Sequence, residues 1–380
     1  MPSSALPIRL ITFCAIVIAL AAGGWMLKVA AGIVIPIILG GLVAFLLNAL
    51  ATQAGRIPVI GPACPQWLRM SISFLLTFTV LLLVAALLAR NVEQVAREAS
   101  SYGDAFSNML NNAAARFGYE ADVTWHSLQD LFSGRLNMQD TVRYGVGAIT
   151  NAIIYVFLIF IYALFFLIEA RFFNIKMERL FRTADTRRRA HFVINQMIDK
   201  VGEYMALKTL VNVMLGGVCF AILLLFGIDF AAFWAILTGV FNYIPYVGSL
   251  VAVLLPVFVS VGQYESMETT LSLAACLIVA QNVVGYYIEP RLLGKQLNMS
   301  PLVIMISLAS WGALWGIAGA ILSVPLTSMM MILFAAFPGT RPLAVVLSED
   351  GFSGEDADQM LPAPVPPPEA ADGPSGDPAE

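Results

Sequence analysis

Apolar positions dominate this chain in long unbroken runs, at about residues 10–28, 30–50, 69–89, 144–168, 209–227, 230–262, 270–288 and 300–337. A helix needs about 20 such residues to cross a hydrocarbon core of roughly 30 Å. Runs that are apolar on every side bury nothing by amphipathicity and predict helices surrounded by lipid or by one another. The pattern therefore predicts an all-α, polytopic helical membrane protein with about eight membrane segments. Two runs do not fit one crossing each. Residues 230–262 and 300–337 are too long for a single straight span, which predicts broken or re-entrant helices near 241–249 and 310–319.

The polar intervals divide the rest. Membrane segments 1–3 occupy 1–90. A polar, helical, extramembrane insert of mixed charge follows at 91–143, expected on the periplasmic side, and membrane segment 4 covers 144–169. Residues 170–208 read as a basic loop that ends in an amphipathic helix, with Phe192, Val193, Met197, Val201 and Tyr204 at helical spacing. Membrane segments 5–8 fill 209–337. Beyond them, residues 338–380 form an acidic, Pro-rich tail whose composition predicts disorder.

Charge sets an orientation. The stretch 171–208 holds nine of the 21 basic residues of the chain, and basic residues beside spans mark the cytoplasmic side. With the N-terminus cytoplasmic, four crossings bring that stretch back inside, together with Arg56 and Arg69. The Arg187–Arg189 cluster reads as a topology signal or a contact to anionic lipid, not as a nucleic-acid patch.

Composition agrees with the class: 59% hydrophobic and 12% charged among 380 residues, with mean hydropathy +0.81, against about 25% charged in an ordinary soluble domain. Cys14, Cys64, Cys219 and Cys276 show no paired spacing, and His126 and His191 lie far apart. No metal site and no cofactor is expected. Nucleophile–base motifs, phosphate loops and paired aspartates within spans are lacking, so no enzyme is expected either.

Candidate chemistry concentrates in two places. The stretch FNYIPYVGSLVAVLLP (241–256) puts Asn242, Tyr243, Pro245, Tyr246 and Gly248 at the centre of an apolar run. Pro245 removes a backbone donor, and irregular backbone at membrane depth persists only where protein or a water-filled cavity surrounds it. Two geometries satisfy this: a hairpin that doubles back, or one crossing with an unwound centre. Either marks a substrate path. The second place is AQNVVGYYIEPRLLGK (280–295), where Asn282, Tyr286 and Glu289 share a helical face with Gln281 on its flank. Polar groups on an apolar span avoid lipid; Glu289, with Arg291 two residues on, is the candidate coupling or gating group. Gly312, Gly316 and Gly319 have the small-residue spacing of helix packing.

These strings, with IEPRLLGKQLNMSPLVIMISL and WGALWGIAGAILSVPL, resemble the signature regions of the autoinducer-2 exporter family of bacterial transporters. The likeness is specific over about 240–327 and general over 10–337. By position, the family's motif residues fall on Asn242, Pro245, Gly248, Glu289, Pro290, Arg291, Gly294, Pro301, Trp311, Gly312, Gly316, Gly319 and Pro325. The resemblance implies a homo-oligomeric secondary transporter in the bacterial inner membrane that exports a small polar solute, with protons or sodium as counter-ion. It also leaves an oligomeric channel and a sodium/proton antiporter open, and it does not fix the solute. One conflict stands in the topology: eight simple crossings put Glu289, Arg291 and Lys295 outside, against the charge rule, and a hairpin at 230–262 brings them inside.

Overall fold

The computed structural model describes residues 5–56, 64–116, 138–181, 183–264, 266–294 and 297–351. The middle of the polar insert, Lys295 and nearly all of the acidic tail lie outside the described residues. Eight of the described helices are long and apolar enough to cross a membrane.

Helices Ala5–Val29 (α1) and Ala31–Arg56 (α2) meet at Ala30, where the Ala30 N–H donates to Met26 O and the Val34 N–H to Ala30 O. The ladder is interrupted here, and Leu27 O accepts from Trp315 Nε1 at 3.0 Å instead. Gln66–Arg116 (α3) is one helix of 51 residues, about 77 Å at 1.5 Å per residue. The first part of the insert is thus the continuation of the third membrane helix, not a separate body. Met138–Leu180 (α4) returns along it, with Phe74 and Phe78 edge-on to Phe160 at 5.2 and 5.0 Å.

Helix α4 ends at Leu180 and Ala184–Leu225 (α5) begins four residues on, where a basic loop ending in an amphipathic helix was expected over 170–208. The physical reason is in the residues. Gly202 is the only glycine in 171–208 and there is no proline, so nothing breaks the backbone. Long basic side chains hold their charges in water without ending a helix. The expected amphipathic helix is the first half of α5. On α5, Val201, Tyr204, Lys208, Val211, Asn212, Leu215, Cys219 and Leu223 are buried, a stripe at three- and four-residue spacing.

The overlong runs are both hairpins. Ala231–Phe241 (α6) and Val247–Tyr264 (α7) are antiparallel arms whose open ends are tied together. Gln263 accepts from the Asp229 N–H at 3.0 Å and donates to Gly227 O at 2.8 Å, while the Tyr264 hydroxyl donates to Phe226 O. Of the two geometries that the sequence allows, the chain takes the one that doubles back. The arms touch at Gly248, where an added Cβ would lie 1.8 Å from Phe241 O.

Met267–Asn282 (α8), a π-helical turn at Val283–Ile288 and Glu289–Leu293 (α9) form one continuous rod, since the junction residues Asn282, Ile288 and Glu289 all keep right-handed helical angles. Pro301–Ala336 (α10) is the second hairpin, bent at Gly316 with φ 63° and ψ −139°. Ser307 Oγ donates to Ser323 O and Trp311 Nε1 to Thr327 Oγ1, each at 3.2 Å. Sixteen residues of straight helix would hold those partners about 24 Å apart. Gly319 closes this hairpin, with a Cβ there meeting Trp311 O at 1.9 Å. Gly312 and Gly316 meet nothing within 4 Å, so the expected packing role falls to Gly319 alone. Gly316 serves as the bend, because a positive φ is costly for any other residue. Arg341–Leu347 (α11) then packs back, and Met299 pairs with Ser348.

The first hairpin opens beside the start of the rod, at 264–267, and the second beside its end, at 293–301. The rod itself is span-length. The two hairpins are therefore entered from opposite ends of one span.

Candidate functional site

The first hairpin's tip is held by α5. Asn242 Nδ2 donates to Asn212 Oδ1 at 2.8 Å, and the Tyr243 hydroxyl meets Thr209 Oγ1 at 2.7 Å. Tyr246 follows Pro245 with φ 60°, an uncommon angle for a non-glycine residue that the surrounding contacts must hold. The Ser249 hydroxyl donates to Tyr246 O at 2.9 Å. Ile244 and Gly248 are buried while Tyr246 and Val247 are exposed, so the irregular backbone lies partly in protein and partly beside an open cavity, the surroundings that a membrane interior tolerates.

Beside the tip lies a cavity of about 540 Å³, within the range of small-molecule sites. It joins the two stretches that the sequence singled out. Asn242, Pro245 and Tyr246 line it from the hairpin, and Gln281, Asn282, Tyr286 and Glu289 from the rod. Tyr243 is not in the lining; it anchors the tip. Gly248 is not in it either, being the point where the arms touch.

The central electrostatic feature is an ion pair between Lys208 Nζ and Glu289 Oε1. Their side chains are 8% and 23% exposed, so the pair spans the cavity wall largely out of water. Sequence reasoning coupled Glu289 to Arg291, two residues along the same helix. In the structure Arg291 is exposed, outside the cavity lining, and Lys208 from α5 takes its place. Residues two apart on a helix point to different sides, which is why the near neighbour in sequence is the wrong partner.

Lys208, Tyr204 and Ser249 are site residues that the sequence reading missed. Lys208 was counted with the basic residues near the membrane surface. The signal that could have found it is the spacing of Tyr204, Lys208 and Asn212, four apart on an otherwise apolar face. Toward the far end, the lining ends at Leu297, Asn298, Met299 and Glu349. The cavity thus runs from the hairpin tip toward the end of the bundle where the second hairpin opens. At the hairpin tip, where Asn242 lines it, the Asn242–Asn212 and Tyr243–Thr209 bonds hold the tip to α5. Gln281 adds an uncompensated feature, since its buried Nε2 has no hydrogen-bond partner.

Comparison with known proteins places these features in a family. A family model described as AI-2E family transporter matches residues 11–339. The AI-2 transport protein TqsA of Escherichia coli (strain K12) is 30% identical over 329 residues, covering 85% of this chain and 91% of that protein. A putative transport protein of Borreliella burgdorferi is 27% identical, with 84% and 85% covered. The putative transport protein YhhT of Escherichia coli (strain K12) is 31% identical over 217 residues, 56% of this chain and 61% of its own length.

Proposed function

This chain belongs to the AI-2E transporter family, and from that premise we propose that it is a secondary carrier exporting a small polar solute across the bacterial inner membrane. The observation that carries the reading is the convergence of two polar stretches, some 40 residues apart in sequence, on one cavity with a largely buried ion pair. Intramembrane ionisable groups are costly and mark transport paths. A relative named AI-2 transport protein supports a small solute.

A carrier fits better than a pore. The Asn242–Asn212 and Tyr243–Thr209 bonds seam the hairpin tip to α5, and on this reading passage requires that seam to part. Orientation follows from charge. Arg56 and Arg69 sit together, since a Cβ at Gly55 would collide with the Arg69 guanidinium, and the α4–α5 turn carries Arg179 and Arg187–Arg189. Those residues favour the cytoplasmic side. Hairpins add no crossings, so Arg291 and Arg341 join the same side, and the cavity opens toward the cytoplasm. The chain is then read in its inward-facing state, with two re-entrant hairpins.

An untargeted comparison of solutes released by cells with and without the protein tests this. We expect at least one small polar solute to be depleted outside cells that lack it, and restored by the wild-type chain but not by Lys208→Met. Identical profiles from both strains would reject the carrier reading.

A further inference from the structure

We infer that the cavity takes a small hydroxylated carboxylate together with one proton, Lys208 binding the carboxylate and Glu289 the proton. This rests on the carrier reading above and adds the charge of the solute and the stoichiometry of its coupling.

Besides the amides of Asn242 and Asn282 and the Glu349 carboxylate at the mouth, the cavity wall offers groups of positive or donor character. Gln281 lines the cavity while its Nε2 is turned into the protein, buried and unpartnered, a state that costs free energy until the amide turns to an acceptor. The N-terminus of α7, an 18-residue helix starting at Val247, lies next to the lining residues Tyr246 and Ser249; its first two N–H groups bond Pro245 O and Ile244 O, so it acts on the cavity through its dipole. Helix N-termini favour negative charge. Lys208 is the third such group. A cation would meet the ammonium and the α7 dipole with the wrong sign. A neutral polyol satisfies Gln281 but leaves the ion pair idle. A carboxylate engages all three.

Charge balance then dictates the proton. The empty site holds Lys208 and Glu289, one charge of each sign. A carboxylate that takes the ammonium from Glu289 leaves one negative charge in excess where few waters reach, and an uncompensated charge there is strongly unfavourable. The titratable and charged groups facing Glu289 are Lys208 and Tyr204 from α5, Tyr243 and Tyr246 from the first hairpin, Tyr286 on the rod and Glu349 at the rim. The second hairpin contributes only Ile304 and Val324. Lys208 is occupied, the tyrosines are neutral hydroxyls that bring no charge to balance, and Glu349 is exposed at the mouth. The carboxylate of Glu289 is the group left to bind the proton. Its hydroxyl then becomes a donor to the solute. Empty and loaded sites carry the same net charge, so both can be carried between the two sides without moving charge through the bilayer. Export runs down the solute's own outward gradient and expels one proton per anion.

The test uses the full chain in liposomes that contain a fluorescent pH indicator, with labelled gluconate, sorbitol and glucosamine as six-carbon probes of negative, zero and positive charge. We expect saturable gluconate uptake, with internal acidification at one proton per anion and no response to an imposed potassium diffusion potential. Glu289→Gln should lose the proton signal and make the gluconate flux that remains sensitive to potential. Lys208→Met should lower gluconate flux at least about tenfold, while Lys208→Arg, which keeps the cation, retains it. Gluconate flux without proton movement in the wild type overturns the inference. So does flux of sorbitol or glucosamine in place of gluconate, although the carrier reading then survives. Flux of none of the three, with unchanged solute release from cells, overturns both.

Discussion

Gly248→Ala tests whether the first hairpin sets the shape of the cavity. Gly248 has no positive φ, so an alanine there suffers only from its neighbours. Its Cβ would lie 1.8 Å from Phe241 O, whereas ordinary contact begins at 3.4 Å. Phe241 O is backbone and cannot swing away, so the arms must part by about 1.6 Å. Overpacking of this kind costs about 1–3 kcal/mol. Parting the arms also stretches the Thr238 hydroxyl from Ala252 O, already at 3.5 Å and buried, worth about 1 kcal/mol more. At about 2–4 °C per kcal/mol for large domains, the purified variant should melt roughly 4–16 °C lower in detergent. The tip carries Asn242, Pro245 and Tyr246, so solute flux in liposomes should fall even where the variant is folded. Gly312→Ala is the control, because a Cβ there meets nothing within 4 Å. Replacing a helical glycine without a clash gains up to about 1 kcal/mol, so that variant should melt at or above the wild-type temperature. Equal melting of wild type and Gly248→Ala, with full flux, would refute the tight hairpin.

Lys208→Met leaves Glu289 charged and unpaired, which should cost about 3–5 kcal/mol in a denaturant or thermal melt. The double variant Lys208→Met/Glu289→Gln should recover most of that, and a failure to recover would mean that Lys208 acts by packing. At the mouth of the first hairpin, loss of water raises the proton affinity of the Asp229 carboxyl, with the nearby Glu98 charge adding to it. A folded-state value above the unfolded one gives stability that is present at low pH and lost as pH rises past it. Asp229→Asn should therefore raise the melting temperature at pH 7 but not at pH 4, and the opposite order would contradict this cause.

Much of the fold could be read from the sequence because length and periodicity are direct consequences of the bilayer. Residues 230–262 and 300–337 exceeded one crossing, and both proved to be hairpins. What the pattern did not settle was whether the first break crossed or returned. That was decided by contacts remote in sequence: Gln263 with Gly227 and Asp229, and Gly248 against Phe241 O. Seven of the singled-out residues share the cavity, since polar groups in an apolar run have few places to go. Lys208 escaped notice for the converse reason. A lysine at the edge of an apolar run looks the same whether it faces headgroups or a carboxylate 81 residues on. Only its register with Tyr204 and Asn212 separates the two, and burial on a 42-residue helix is what gives that register meaning.

The hairpins also remove the topological conflict that a count of eight crossings creates. From the end that carries Arg56, Arg69 and the α4–α5 turn, α3 leaves and α4 returns. Next α5 leaves again, and the first hairpin opens and closes on the far side, beside Tyr102 of α3, which sits against Gly262. The rod from Met267 to Leu293 then comes back, and the second hairpin opens and closes on the near side. Arg291 and Arg341 therefore join the basic end without any extra crossing. A through-span at either run would separate them from it, at the cost of placing positive charge on the side that insertion disfavours. The same geometry brings two hairpins toward one rod from opposite ends, with the Lys208–Glu289 pair beside the rod's π-helical turn. Single π-turns in otherwise regular helices are concentrated at functional sites. Their extra residue can be absorbed by a small shift in register, and a shift of the rod there would move Glu289 relative to Lys208. The ion pair, the closed seam and the irregular turn thus lie along one path, where a change at any of them bears on the other two.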